Sequence, residues 1–244
     1  MLIGVTVHIP DGLLIPVNAS THAVNVPDLL VLVVTWAVTV PFLVFAWKKT
    51  RSTYSASFAS SLALMSALVF VVQMLTFPVA GGTSVHVLGG TLVAVLLGPY
   101  AGMLSMTLVL GLQAVVFADG GLLAFGANAL NMAVIGSLSF FLVKTLMGKS
   151  GGTQRFAASV FVATLVSAVS TAVLTGLEVG VSQAFASSGG VLVTVPTMLS
   201  VYAVEGLVEA AFTSFIAAGL MTSLPRFPSF ALAGLSMLRR EDVP

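Results

Sequence analysis

Long apolar runs, broken by short islands rich in glycine, proline and polar residues, set the layout of this chain. Runs at 28–47, 56–77, 84–98, 101–118, 126–147, 156–180 and 197–222 read as helices. Most approach the roughly 20 residues a bilayer-crossing helix needs. The third is shorter and reads as broken or partly re-entrant. A turn at GPYAG, 98–102, then sends the chain back to the face it left. The alternating segments of about ten residues that mark a transmembrane barrel are not seen. The expected fold is an all-α polytopic membrane helical bundle of about seven transmembrane helices, one domain over 1–244.

Composition supports this pattern. Hydrophobic residues make up 58% of the chain and charged residues 7%, against about 25% charged in a soluble domain. The basic residues set the orientation. Lys48, Lys49 and Arg51 follow the first run, Lys144, Lys149 and Arg155 flank the loop after the fifth, and Arg226, Arg239 and Arg240 follow the seventh. All 9 fall on one face, which the positive-inside rule makes cytoplasmic. The amino terminus is then outside and 223–244 is a cytoplasmic tail. The outer face collects His8, Asp11, His22, Asp28, His86 and Asp119, with Glu178 at the outer end of the sixth run. With no cysteine, disulfides and thiolate metal sites are excluded. A P-loop is absent, which excludes ATP hydrolysis by that route, and so is HExxH. Residues 1–7 lack the basic start and length of a cleavable signal.

Three polar islands carry the candidate chemistry: HIPDGLL from 8, FPVAGGTSVHVLGG from 77 and FADGGLLAFGANALNM from 117. In the second, His86 is expected just inside a helix N-terminus capped by Thr83 or Ser84. In the third, Asp119 is expected to fix a tight turn, and Asn128 and Asn131 to lie near the outer end of the next helix. With LLGPYAG, TGLEVGVS (175–182) and EGLVEAAFTS (205–214), these islands resemble, in order, the CbiM/NikM family, the substrate-capture components of cobalt and nickel energy-coupling-factor transporters.

The resemblance implies a site. Family members begin Met-His-Ile. A histidine in second place gathers three nitrogens, the terminal amine, its own amide and its imidazole, around one ion. A second imidazole completes a four-nitrogen plane, which suits Ni(II). Carried over, the ligands are His8, His86 and the amine of residue 7, with residues 7–27 forming an outer metal-binding head. Residue 7 is Val7 here, and six residues precede it. A GTG codon reads as valine internally and as methionine at a start, so 1–6 is expected to be a misassigned start or a removed extension. Ser84 and Asn128 are expected to orient the ligands without touching the ion, Asn128 acting on His86. The family's small residue before His86 is Val85 here, its usual histidine in the last run is Tyr202, and Glu205 stands at an apolar position. Glu178 and Glu209 match family acids.

Function and partners follow from the same resemblance. The chain is expected to be no enzyme but the Ni2+- or Co2+-capturing component of an ATP-driven importer in a prokaryotic plasma membrane. The ion is its substrate, and no cofactor is held tightly. The implied partners are membrane lipid, a transmembrane coupling subunit and two cytoplasmic ATPase subunits, with room for a small accessory membrane subunit; nucleic acid is not among them. Ala59, Ala63 and Ala67, one turn apart with Ser55 before them, form a small-residue face suited to internal packing or to the coupling subunit. Two rivals stand beside this reading. A hydrolase built on Ser84 and His86 is disfavoured by their spacing. A proton-coupled secondary transporter would use Glu205 and Glu209, which share a helix face. Intact-mass measurement of the native protein is expected to show residues 1–6 missing. A retained Met1 would leave His8 out of second place and break the three-nitrogen chelate.

Overall fold

The computed structural model describes residues 8–17, 22–54, 58–74, 76–79, 83–148, 152–223 and 232–239, with Thr76–Val79, Thr83–Val85 and Arg239 as backbone only. The regular structure of the described chain is helical apart from one hairpin and an isolated bridge between Val17 and Val24, with irregular stretches at 87–89 and 117–124. Helices α1 (Val26–Thr53) and α2 (Phe58–Gln73) come first. The hairpin follows, β1 (Thr76–Val79) with β2 (Thr83–His86), antiparallel, pairing Thr76 with His86 and Val79 with Thr83. Helices α3 (Gly90–Leu97) and α4 (Pro99–Val116) are joined at Gly98. Helix α5 (Phe125–Asn128), a π-helical segment Ala129–Ile135 and α6 (Gly136–Met147) form one continuous rod. The chain continues through α7 (Thr153–Gly180), α8 (Gln183–Ala186), α9 (Val191–Ser223) and α10 (Ala233–Arg239).

Among the described residues, five helices are long and apolar enough to cross a membrane: α1, α4, the α5–α6 rod, α7 and α9. The other two expected spans are shorter. Helix α2 has 16 residues and α3 has 8. At about 1.5 Å per residue, α3 covers about 12 Å of a hydrocarbon core about 30 Å thick. The run at 84–98 is therefore not one helix. Its first residues belong to β2, and Gly89, in the left-handed region at φ 78°, precedes the first turn of α3.

All eight residues of α3 are buried, as expected of a helix apolar on every side. It sits at the centre of the bundle, packed against α4 and α6. The contact with α6 depends on paired glycines. A Cβ on Gly90 would meet the Met132 carbonyl oxygen at 2.5 Å and Gly136 Cα at 2.8 Å. The periphery inverts the soluble pattern: Val33 and Val34 on α1 are each 55% exposed, as suits a surface facing lipid. Ala59, Ala63 and Ala67 also face outward, so the small-residue face of α2 is not used for internal packing.

Gly136→Val is expected to destabilise the fold by about 1–3 kcal/mol, the usual cost of overpacking a tight contact. A lowered melting temperature in detergent, followed through Trp36 and Trp47, checks this.

Candidate metal site at the mouth of the bundle

The leading segment folds back into the bundle and is fixed there by side chains from distant elements. Asn128 brackets Ile9: the Ile9 N–H donates to Asn128 Oδ1 at 2.7 Å, and Asn128 Nδ2 donates to the Ile9 carbonyl at 3.1 Å. The Gly121 N–H donates to the same carbonyl at 2.9 Å. Asp11 accepts from the N–H groups of Leu122, Leu123 and Ala124 at 3.0, 2.8 and 3.1 Å. Asp28 accepts from Ile15 N–H, Asn25 Nδ2 and Gln183 N–H. Ile9, Leu13 and Leu14 pack with Ala124, Ala127 and Val179. The apolar side chains drive the docking, and the carboxylates and amide set its register.

This docking brings His8 against His86. Their ring centroids are 4.9 Å apart with planes at 78°, and the residues are 2% and 7% exposed. His8 Nδ1 lies 3.1 Å from Asp119 Oδ1, and His86 Nδ1 lies 3.0 Å from the Val87 carbonyl. An Nδ1–H held by an oxygen acceptor leaves the ring's lone pair on Nε2. Burial, and then the neighbouring His8, lower the His86 pKa to about 4. The hydrogen bond from His8 holds the Asp119 carboxyl below its ordinary range.

The loop after His86 is supported from three sides. Leu88 and Gly89 N–H groups donate to the two oxygens of Glu209, on α9, at 3.0 and 2.8 Å. Gln73, at the end of α2, donates to the Leu88 carbonyl at 2.7 Å. Gln113, on α4, donates to Gln73 at 3.0 Å. The Gln113 backbone carbonyl in turn accepts from Asp119 N–H at 3.0 Å, so one bonded path links the supports of both imidazoles. Asn131 donates to Glu178 at 2.6 Å and to Thr175, and its carbonyl accepts from Thr171. That set ties the π segment to α7.

Several expectations need correction. His86 is the last residue of β2, ahead of the α3 N-terminus and not inside it. Asn128 holds the backbone beside His8, bonding both the N–H and the carbonyl of Ile9 and not the His86 ring. Asp119 does more than shape a turn, because its carboxylate meets His8. His22 is exposed, at φ 53°. The amine of residue 7 lies outside the described residues, as does the Ser84 side chain. Gln73, Gln113 and the role of Glu209 were missed. A signal existed for the glutamines: a lone amide inside an apolar run must find a partner within the protein. Among the described residues no three His, Asp or Glu side chains form a ready metal cage.

Comparison with known proteins adds a lineage. The CbiM family model, described as the cobalt uptake substrate-specific transmembrane region, matches residues 8–227. A fused nickel transport protein of Rhodobacter capsulatus is 34% identical over 230 residues, 89% of this chain and 62% of that protein. This chain thus spans less than two thirds of that relative's length. A cobalt transport protein of Anoxybacillus flavithermus is 38% identical over 128 residues, 52% of this chain and 50% of its own. The crystal structure of a truncated transition metal transporter superposes with a TM-score of 0.72 at 32% identity, covering 88% of this chain and 99% of that one.

The lowered His86 pKa has a consequence for stability. In the unfolded chain the ring takes up a proton near its ordinary value of 6.5, before the folded one does. Its contribution is therefore complete above about pH 6.5 and is lost as pH falls to about 4. The loss amounts to about 3 kcal/mol. The melting temperature of metal-free protein is expected to drop across that window. His86→Gln should flatten that part and leave the loss from Asp119 at lower pH.

Proposed function

This chain belongs to the CbiM family, and on that premise we propose that it captures Ni2+ or Co2+ at the outer mouth of its bundle, as the substrate-binding membrane component of an ATP-driven importer. The observation that carries this reading is the pair of buried imidazoles, His8 and His86, 4.9 Å apart and drawn from distant segments.

Two imidazoles supply two donors. The remaining nitrogens are the amide of His8 and the amine of residue 7, once that residue is the chain's first. A chelate ring through the His8 amide closes on Nδ1, the atom that faces Asp119. The ion takes the place of the proton there, and the Asp119 carboxylate stays close enough to offset part of the incoming charge. His86 is neutral at ordinary pH, the form that binds metal. A planar set of nitrogens favours Ni2+ over Co2+.

Energy for release comes from elsewhere, because the chain has no P-loop. Two cytoplasmic ATPases would act through a transmembrane coupling subunit, and the outward face of Ala59, Ala63 and Ala67 is the surface we assign to it. The distribution of basic residues supports reading that machinery as lying on the inner side of a prokaryotic plasma membrane. Proton-coupled transport through Glu205 and Glu209 has less support, since Glu209 is committed to two backbone N–H groups.

Titration of purified protein starting at residue 7 as methionine is expected to show binding of either ion by calorimetry. His8→Ala and His86→Ala should each abolish it. Protein retaining residues 1–6 should bind far more weakly. Unchanged affinity in His86→Ala would refute the site.

A further inference from the structure

We propose that Glu209 is a positioning residue for the metal site, reaching from α9 to fix the backbone of Leu88 and Gly89 and, through it, the direction in which His86 presents its ring. The inference rests on the site proposed above.

The clamp is bidentate. One carboxylate oxygen takes the Leu88 N–H and the other the Gly89 N–H, so both the place and the tilt of that peptide are set. Gln73 holds the Leu88 carbonyl from the opposite side. Gly89 closes the remaining freedom. Its φ of 78° suits glycine, and a Cβ there would lie 2.8 Å from Val69 Cγ1. Between clamp and ligand lies Val87, whose carbonyl sits 3.0 Å from His86 Nδ1. Rotation of the Leu88 peptide would thus move the carbonyl that orients the imidazole. On the other flank, His86 is held by its register with Thr76 in the hairpin.

A carboxylate suits the position. The N–H groups precede α3, where the helix offers them no acceptor, and the residues around them exclude water. Glu209 is 1% exposed. An amide would satisfy one N–H and turn its own NH2 toward the other, leaving two buried donors face to face. Glu205, one turn earlier, is buried beside Glu209 and also nears the Glu209 carboxyl and the Leu88 backbone, but the hydrogen bonds from the Leu88 and Gly89 N–H groups at 3.0 and 2.8 Å go to Glu209.

A role limited to holding α3 in place would change melting temperature and leave the bound ion undisturbed. The test therefore reads the ion. With full-length protein beginning at residue 7 as methionine and Ni2+ as the probe, Glu209→Gln is expected to weaken binding about 10–100-fold and to shift the visible absorption band of bound Ni2+. Glu209→Asp, with charge kept and reach shortened, should recover part of both. Thr213→Val, a buried change one turn further along α9, should leave both at wild-type values. If the Gln variant does not fold, the Asp variant decides: a shifted band supports the role, and wild-type affinity and band overturn it. Folded Glu209→Gln with wild-type affinity and band, while His86→Ala has lost binding, overturns this inference alone. Wild type and His86→Ala binding Ni2+ alike overturns both it and the site.

Discussion

Backbone amides and carbonyls inside a membrane find no water to bond with, and each one left unpaired costs several kcal/mol. A plain helix meets this demand within itself. A site that must gather groups from a chain end and a hairpin loop cannot, because those segments are irregular. The structure meets the demand with side chains sent from regular elements. Asn128 serves both backbone groups of Ile9, Asp11 serves three successive N–H groups before α5, and Glu209 and Gln73 serve the loop at Leu88 and Gly89. Trp36 and Thr39 on α1 donate to the carbonyls of Leu123 and Gly126. Remove this set, and the irregular backbone would revert to helix or leave the bundle, with the imidazoles apart.

The scaffold that sends these side chains is rigid where it counts. Helix α3 is short and buried on every side, so the hairpin loop above it rests on a fixed floor. The π segment opposite has a wider turn than an α-helix, and segments of this kind recur at functional sites. Here Asn128 ends the helix before it and pairs with Ile9, while Asn131, within it, pairs with Glu178 and Thr175. Two asparagines one turn apart thus serve different partners, the docked head and helix α7.

These particulars explain what could be read in the chain beforehand. Apolar runs carry the fold class, because crossing lipid leaves few alternatives. The identity of His8 and His86 as a pair was legible through motifs. The break in 84–98 was not. Thr83–His86 is short and mostly polar and Gly90–Leu97 short and mostly apolar, and at such lengths hydrophobic pattern alone does not tell a strand from a buried helix. Asn128 pairs with Ile9 and not with His86, since its partner depends on how the head docks. The clamp by Glu209 joins residues more than a hundred positions apart, a pairing no local pattern encodes.

On the proposed reading, selectivity begins with what the mouth withholds. Hard cations such as Mg2+ and Ca2+ require several oxygen ligands, and the carboxylates near the site are largely engaged: Asp11 with the 122–124 backbone, Glu209 with the hairpin loop, Glu178 with Asn131. Asp119, beside His8, and Glu205, beside Glu209, are less committed. Imidazole, amide and amine nitrogens favour later divalent transition metals. The buried His86 imidazole resists protonation because charge there is poorly solvated, and a doubly charged guest must recover in directional bonds what it loses in hydration. Short, aligned bonds need rings that do not swing. The fixed backbone around both histidines is therefore as much a determinant of affinity as the nitrogens themselves.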